Sequence, residues 1–178
     1  MKKWIGALCS ALAGALSLVF LCIPAFSIEL IGVKKYSGWK LITNKEVDDF
    51  AKSCGLDGVT ALTWYRIFAW ILVVLAIVLI VVAVLQILAN LNVIKVPAII
   101  DTIGKYALIA LAVVAVLALV ANIGIRAEFV DFYKDKNASE ATIKKVKEAL
   151  TVGASLWVVA GINLVAAACA NLFAKKAK

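Results

Sequence analysis

The chain has 178 residues, of which 65% are hydrophobic, a mean hydropathy of +1.02 and a formal net charge of +8. Soluble domains are about 45–50% apolar, so this composition predicts an all-α integral membrane protein. It excludes a soluble enzyme, a disordered regulator and a secreted disulfide scaffold. Histidine is absent, which excludes histidine-based triads, zinc sites that need it and axial haem ligation by it. The four cysteines form no C-x-x-C pair, so no dithiol motif is present.

Four stretches of the sequence are long and apolar enough to cross a membrane as helices. Such a helix needs about 20 mainly apolar residues. The stretches run over about 4–23, 67–91, 107–125 and 150–173, with loops at 24–63 and 126–149. The sequence therefore predicts a four-helix transmembrane bundle that forms a single membrane domain.

The distribution of charge predicts the orientation of these spans. One side of the predicted bundle has seven lysines and one aspartate, which gives a net charge of +6. These residues are Lys2, Lys3, Lys95, Lys105, Lys175, Lys176, Lys178 and Asp101. The loop at 24–63 sums to zero and the loop at 126–149 to +1. Basic residues are retained on the cytoplasmic side, so both termini are predicted to be cytoplasmic. Lysines beside helix ends attract anionic lipid, and we expect no nucleic-acid partner.

The first span also has features of a secretory signal. Met1-Lys2-Lys3 precedes it, and Ala25-Phe26-Ser27 is a candidate cleavage site of the small-x-small kind. Its apolar stretch of about 20 residues exceeds the usual 7–15 of a signal, which favours a retained helix. Cleavage would leave three spans.

The first outer loop is long enough to fold into a small cap. The runs 28–33 and 39–42 are β-prone and flank Tyr36-Ser37-Gly38, which predicts a hairpin or an extended pair. Thr43-Asn44-Lys45-Glu46 matches a capping box and predicts a short helix to about Ser53. In the second outer loop, Ile143, Val146 and Leu150 recur at helical spacing. The fourth helix is therefore predicted to begin outside the membrane.

Small residues recur on two of the spans and predict close helix packing. In lipid, small side chains mark the places where helix backbones approach each other. The candidate packing residues are Gly6, Ser10 and Gly14 on the first span and Gly153, Ala160, Asn163 and Ala167 on the fourth. Packing within one protomer is favoured over an oligomer interface. Asn163 is predicted to form an interhelical hydrogen bond rather than a substrate contact.

Four residues of the outer face are candidates for surface interaction, namely Trp39, Phe50, Cys54 and Arg66. Arg66 lies among Trp64, Tyr65 and Trp70, an arrangement typical of an interfacial aromatic belt. We expect its side chain to snorkel to the headgroups. Cys54 is predicted to be an inert thiol. The carboxylates of Glu46, Asp48 and Asp49 are predicted to be solvated rather than to bind a divalent cation.

The first outer loop contains Ser37-Gly38-Trp39 and a single cysteine, Cys54. With four predicted spans, internal termini and a shorter second outer loop, the whole chain resembles claudin-like and related tetraspan proteins in topology. The resemblance covers topology only. Claudins have a Trp, Gly-Leu-Trp and paired-cysteine pattern in this loop. The family's disulfide cannot form within the loop of this chain, so no functional residue is carried over.

The sequence thus predicts a non-enzymatic membrane protein, without cofactor or metal, that acts as an accessory or scaffold subunit. Its expected partners are the lipid bilayer and another membrane protein or further copies of itself. The lysine-rich, histidine-free composition is typical of a small multi-pass protein of the bacterial cytoplasmic membrane. The alternative is a homo-oligomeric channel or small transporter lined by Thr151, Ser155, Asn163 and Asn171 of the fourth span.

Overall fold

The computed structural model describes residues 2–29 and 34–175, and this part of the chain is mainly helical. The helices are α1 (Lys2–Val19), α2 (Gly38–Thr43), α3 (Glu46–Ser53), α4 (Thr60–Asn90), α5 (Ile99–Asp135), α6 (Glu140–Ala149) and α7 (Ala154–Lys175). The strands are β1 (Pro24–Ile28), β2 (Lys34–Ser37) and β3 (Leu150–Val152).

Two of these helices, α4 and α5, are long and apolar enough to cross a membrane. With 31 and 37 residues, they extend about 46 and 55 Å, which exceeds the roughly 30 Å of a bilayer's hydrocarbon core. The segments Trp4–Val19 and Ala154–Ala170 form shorter apolar helices. The prediction of a mainly helical chain with membrane-compatible helices is therefore confirmed.

The chain divides into two compact units. The sheet unit comprises Phe20–Trp70 and Leu117–Trp157, and the helical unit comprises 1–19, 71–116 and 158–178. The helical unit contains all of α1, the later part of α4, the earlier part of α5 and most of α7. The sheet unit contains all three strands and the three short helices.

Glycine permits close helix contact in the helical unit. A Cβ atom at Gly14 of α1 would lie 2.8 Å from the Ala76 carbonyl oxygen and 2.9 Å from the Ile80 side chain, both on α4. On α5, a Cβ at Gly104 would lie 3.0 Å from Val82. The absence of a side chain at these two glycines therefore lets the helices pack closely.

The sheet has the order β2-β1-β3 and is antiparallel throughout. Ile28 pairs with Lys34 on one side and with Leu150 on the other. Backbone bonds from the Glu29 amide to Ala149 and from the Gly153 amide to Ala25 extend the β1–β3 pairing at both ends. Ala25, at the candidate cleavage site, is fully buried in the central strand.

An antiparallel pair forms in the first loop as predicted, but its strands occupy other residues. β1 begins at Pro24, and the predicted strand at 28–33 falls mainly on residues 30–33, outside those described. The predicted strand at 39–42 is wrong, because these residues belong to α2. The Ser37 hydroxyl accepts a hydrogen bond from the Lys40 amide at 3.3 Å and caps the start of that helix.

The predicted capping box is also wrong, although the helix that it announces is present as α3. The Thr43 hydroxyl donates to the Trp39 carbonyl inside α2, at 2.9 Å. Asn44 performs the capping instead. Its Oδ1 accepts from the Glu46 amide at 3.0 Å, and its Nδ2 donates to Glu46 Oε1 at 2.8 Å.

The fourth helix does not continue out of the second loop as predicted. α6 ends at Ala149, and the chain then enters β3 before α7 starts at Ala154. The break is fixed by Gly153, where a Cβ atom would clash with the Pro24 carbonyl oxygen. The sequence pattern misses it because Leu150-Thr151-Val152 is apolar enough to extend a membrane helix.

The end of α3 gives the first prediction. Gly55 has φ +89°, and the amides of Gly55 and Leu56 bond to the carbonyls of Lys52 and Ala51, which together form a Schellman motif. An L-residue in this conformation costs about 1–2 kcal/mol. We therefore expect Gly55→Ala to lower the unfolding free energy of the sheet unit by about 1 kcal/mol, measured by hydrogen exchange of the α3 amides in detergent. Gly58→Ala is the matched control, since a Cβ at Gly58 meets nothing within 4 Å. Equal exchange in the two variants would contradict this account.

Candidate functional site

Arg66 anchors the short helices of the sheet unit to α4. Its Nε donates to the Leu41 carbonyl at 3.0 Å, and one terminal nitrogen donates to the Asn44 carbonyl at 2.8 Å and to Asp48 Oδ2 at 2.6 Å. The planar guanidinium provides several donors in a fixed geometry, which suits three acceptors around one group. It thus satisfies carbonyls at the end of α2 and a carboxylate on α3.

The predicted snorkelling of Arg66 is therefore replaced by an internal role. Its side chain retains only 25% of its accessible surface, and the carbonyls and the carboxylate take up its donors. Arg66 was predicted to interact at the outer surface, but its side chain instead fixes α2 and α3 to α4.

A cleft of about 330 Å³ opens between the sheet and α3. Its lining comprises Ile28 of β1, Lys34 and Tyr36 of β2, and Glu46, Asp49, Phe50 and Ser53 of α3. Lys34 and Tyr36 are two residues apart on a strand and thus share a face, while the α3 residues recur at helical spacing. Two structural periodicities therefore direct one set of side chains into the same space.

The cleft has an apolar floor and a charged rim. Ile28 and Tyr36 retain only 4% and 3% of their accessible surface, whereas Lys34, Glu46 and Asp49 are exposed. Burial raises the pKa of the Tyr36 hydroxyl above its ordinary value, and the nearby Glu46 carboxylate raises this pKa further. The hydroxyl therefore remains protonated and keeps its capacity to donate a hydrogen bond.

The two aromatic residues that were predicted to interact at the surface have different environments. Trp39 is 46% exposed and contacts Trp70 edge to face, with ring centroids 5.9 Å apart. Phe50 is half-buried, and its ring lies 5.7 Å from that of the fully buried Phe129. Trp39 thus presents apolar surface to the outside, whereas Phe50 forms part of the cleft wall.

Cys54 occupies a structural position. Its backbone amide caps the end of α3 by bonding to the Phe50 and Ala51 carbonyls at 3.1 Å each. Its thiol is half-buried and forms no disulfide. The inertness of this thiol stays a prediction.

The acidic residues of α3 have different partners. Asp48 pairs with Arg66, and Glu46 binds the Asn44 amide. Among the residues that the structure describes, no group of three histidine, cysteine or acidic side chains is placed to hold a metal ion.

The candidate packing residues of the helical unit divide into two groups. Asn163 of α7 is 1% exposed and meets Ser17 of α1, with Asn163 Nδ2 donating to Ser17 Oγ at 2.9 Å and the hydroxyl returning a bond to Oδ1 at 3.3 Å. Ser10, Gly14, Ala160 and Ala167 are also buried. Gly6 is half-buried, and a Cβ there would meet nothing within 4 Å. Gly153 is the exception, because it lies before α7 and packs against β1 instead of another helix.

The residues of the channel alternative are mostly engaged inside the protomer. Thr151 lies in β3, where its hydroxyl donates to Ser27 at 3.2 Å, and the Ser155 hydroxyl donates to the Pro24 carbonyl at 3.0 Å. Asn163 has its partner in Ser17. The side chain of Asn171 lies outside the described residues. The hydroxyl and amide groups of the other three therefore hold the fold together.

Sequence reasoning missed several residues that shape the site. Lys34 and Tyr36 were not singled out, although their i,i+2 spacing beside Ser37 is a strand signal. Ser17 was missed because a lone serine in an apolar span has no pattern that marks its partner. Glu128, whose carboxylate accepts from the Ala61 amide at 2.9 Å near the start of α4, is 67 residues away in sequence and equally unmarked.

Compared with models of known protein families, with curated proteins and with solved structures, the chain has no match.

The anchor role of Arg66 predicts a difference between two basic side chains. Arg66→Lys keeps the charge but loses the planar fork, so we expect the sheet unit to lose about 1–3 kcal/mol of stability. Thermal unfolding in detergent and hydrogen exchange of α2 and α3 would measure the loss. Arg126→Lys is the control, since Arg126 makes one exposed bond to the Lys147 carbonyl and should change stability by less than about 0.5 kcal/mol. Equal losses would refute the anchor.

The Ser17–Asn163 pair predicts energetic coupling between α1 and α7. A double-mutant cycle with Ser17→Ala and Asn163→Ala should give a coupling of about 0.6 kcal/mol, the mean for membrane hydrogen bonds. Unfolding in mixed micelles would measure it, with the exposed neighbour Leu164→Ala in place of Asn163→Ala as the control. Strict additivity at Asn163 would contradict the bond.

Ion flux in liposomes that disappears in Asn163→Leu, with folding unchanged, would favour the channel.

Proposed function

We propose that the chain is a non-enzymatic, four-span membrane protein that acts as an accessory or scaffold subunit. In this proposal α1, α4, α5 and α7 cross the cytoplasmic membrane, and both termini are cytoplasmic. The sheet unit faces outward and contacts a protein partner or another copy of the chain. The observation that carries the proposal is the contrast between the surfaces of the two units.

Large apolar side chains are exposed along all four helices assigned to the membrane. In the helical unit they include Leu8 and Leu12 of α1, Val74, Ile77, Val81 and Val84 of α4, Ile109 and Val113 of α5, and Leu164 and Val165 of α7. Soluble proteins rarely expose apolar patches of this extent. The apolar parts of α1 and α7, Trp4–Val19 and Ala154–Ala170, extend about 24 and 26 Å, slightly less than the roughly 30 Å of the hydrocarbon core. Lipid contact on all four helices is therefore the favoured explanation.

The sheet unit has a different surface. α3 and α6 together carry nine charged side chains, and each helix buries only one narrow face, represented by Val47 and Ala51 on α3 and by Val146 on α6. Such polar helices suit water and not hydrocarbon. A folded, polar unit held by a membrane anchor fits a role in recognition, and the exposed ring of Trp39 offers an aromatic contact of the kind enriched at interfaces.

Cysteine labelling tests the topology on which this function depends. In a variant without the four native cysteines, single cysteines at Lys45 and Lys136 should react with a membrane-impermeant maleimide in intact cells. A cysteine at Lys95 should react only after permeabilisation. Labelling of Lys45 and Lys136 from opposite sides would refute the four-span arrangement.

Photo-crosslinking then tests the contact itself. A photoreactive amino acid at Trp39 should give a protein adduct of discrete mass in native membranes, and a mass of two chains would identify another copy. Trp4 is the matched control, a tryptophan of similar exposure on α1, which should give lipid adducts. If Trp39 gives only lipid adducts as well, the proposed contact surface is wrong.

A further inference from the structure

The cleft between the sheet and α3 supports an inference beyond contact with a protein partner. Its opposite walls differ in charge, because Lys34 stands on β2 while Glu46 and Asp49 stand on α3. Within the described residues, none of these three side chains forms an ion pair within 4.0 Å. The cleft therefore keeps an ammonium and two carboxylates apart across an open space.

The floor of the cleft has a different chemistry from its rim. Ile28 and Tyr36 are buried there, and the Phe50 ring packs against the ring of Phe129, with centroids 5.7 Å apart. The volume of about 330 Å³ lies at the lower end of the range of small-molecule sites. A ligand of about the size of an amino acid or a dipeptide fits this space.

We propose that this cleft binds a small zwitterion that carries an ammonium group, a carboxylate or phosphate group and an apolar substituent. The ammonium lies against Asp49 and Glu46, and the anionic group lies against Lys34. The apolar substituent packs on Ile28 and Phe50. Two chemical sources carry this pair of charges, apolar amino acids or short peptides and the phosphoethanolamine headgroup of a lipid, in which the attached acyl chains are the apolar part.

The arrangement favours a zwitterion over an ion of one sign. A simple anion would meet Lys34 but also two carboxylates of α3, and a simple cation would leave Lys34 without a counter-charge. A zwitterion satisfies both walls at once. Charged groups at the rim select such a ligand, because a like charge placed opposite them is penalised.

The test uses the full chain in a maltoside detergent. This detergent has no ammonium and no anionic group, so it does not compete with a zwitterion for the cleft. L-phenylalanine and glycerophosphoethanolamine are titrated separately, and binding is followed by saturation-transfer NMR. We expect binding of at least one probe. Phenylalanine binding alone identifies the amino-acid source, and glycerophosphoethanolamine binding alone identifies the headgroup.

Two modified probes and two variants locate the recognition. Phenylalaninamide lacks the carboxylate and N-acetylphenylalanine lacks the ammonium, so each should bind about fivefold more weakly than phenylalanine, the effect of about one exposed charge contact. If the headgroup is the ligand, glycerol 3-phosphate and ethanolamine serve as the corresponding probes. Lys34→Gln and Asp49→Asn should weaken binding of the preferred probe by a similar factor.

The controls are Lys52→Gln and Asp57→Asn, which make the same charge changes at exposed positions outside the cleft lining. They should bind like the wild type. Absence of binding by both probes would overturn the proposal, and so would equal effects in cleft and control variants. The measurement uses the purified chain alone, so its failure would leave the proposed protein contact standing.

Discussion

The backbone of Pro24–Ile28 has hydrogen-bonding groups along both edges, and a different loop of the chain satisfies each edge. β2, from the same loop, pairs on one side, and β3, from the second loop, pairs on the other. Unpaired backbone groups in a buried strand are costly, and Ala25 and Phe26 are fully buried. The rest of the sheet unit depends on this double pairing, because it fixes where α2, α6 and α7 begin or end.

Side-chain hydrogen bonds from α4 and α5 also hold the sheet unit together. Arg66 ties the α2–α3 segment to α4, and Asn122 of α5 donates to the Ala25 carbonyl at 3.2 Å. Polar side chains of the two long apolar helices therefore meet backbone carbonyls of other segments. This arrangement joins parts of the chain that a local sequence pattern treats as separate, and it creates the cleft beside α3.

The features that could be predicted from sequence are those that depend on composition over many residues. The long apolar runs predict α4 and α5, and the polar, periodic sequence predicts α3 and its end near Gly55. The features that could not be predicted depend on distant partners. Trp39–Ile42 has high β propensity, yet Ser37 caps it as a helix. Leu150–Val152 is apolar enough for a membrane helix, yet β1 recruits it as a strand.

The candidate site shows the same division. Trp39 and Phe50 are recognisable because exposed or amphipathic aromatic residues stand out in a polar loop. Lys34 does not stand out, and Asp49 is recognisable only as one of three neighbouring carboxylates, since charged residues on loops are normally solvated. Only the packing of α3 beside β2 makes the two residues neighbours of one cleft.

The pairing of β1 with β3 also constrains how the chain is made. The hydroxyls of Ser27 and Thr151 meet across the sheet although 124 residues separate them. During synthesis the N-terminal end is released first, so β1 emerges while three of the longest helices are still to come. One edge of β1 remains unpaired until β3, in the last quarter of the chain, leaves the ribosome. Such an open edge invites pairing with other chains, and closing a loop of this length is slow. Assembly of the sheet is thus a late event that follows synthesis of α4 and α5.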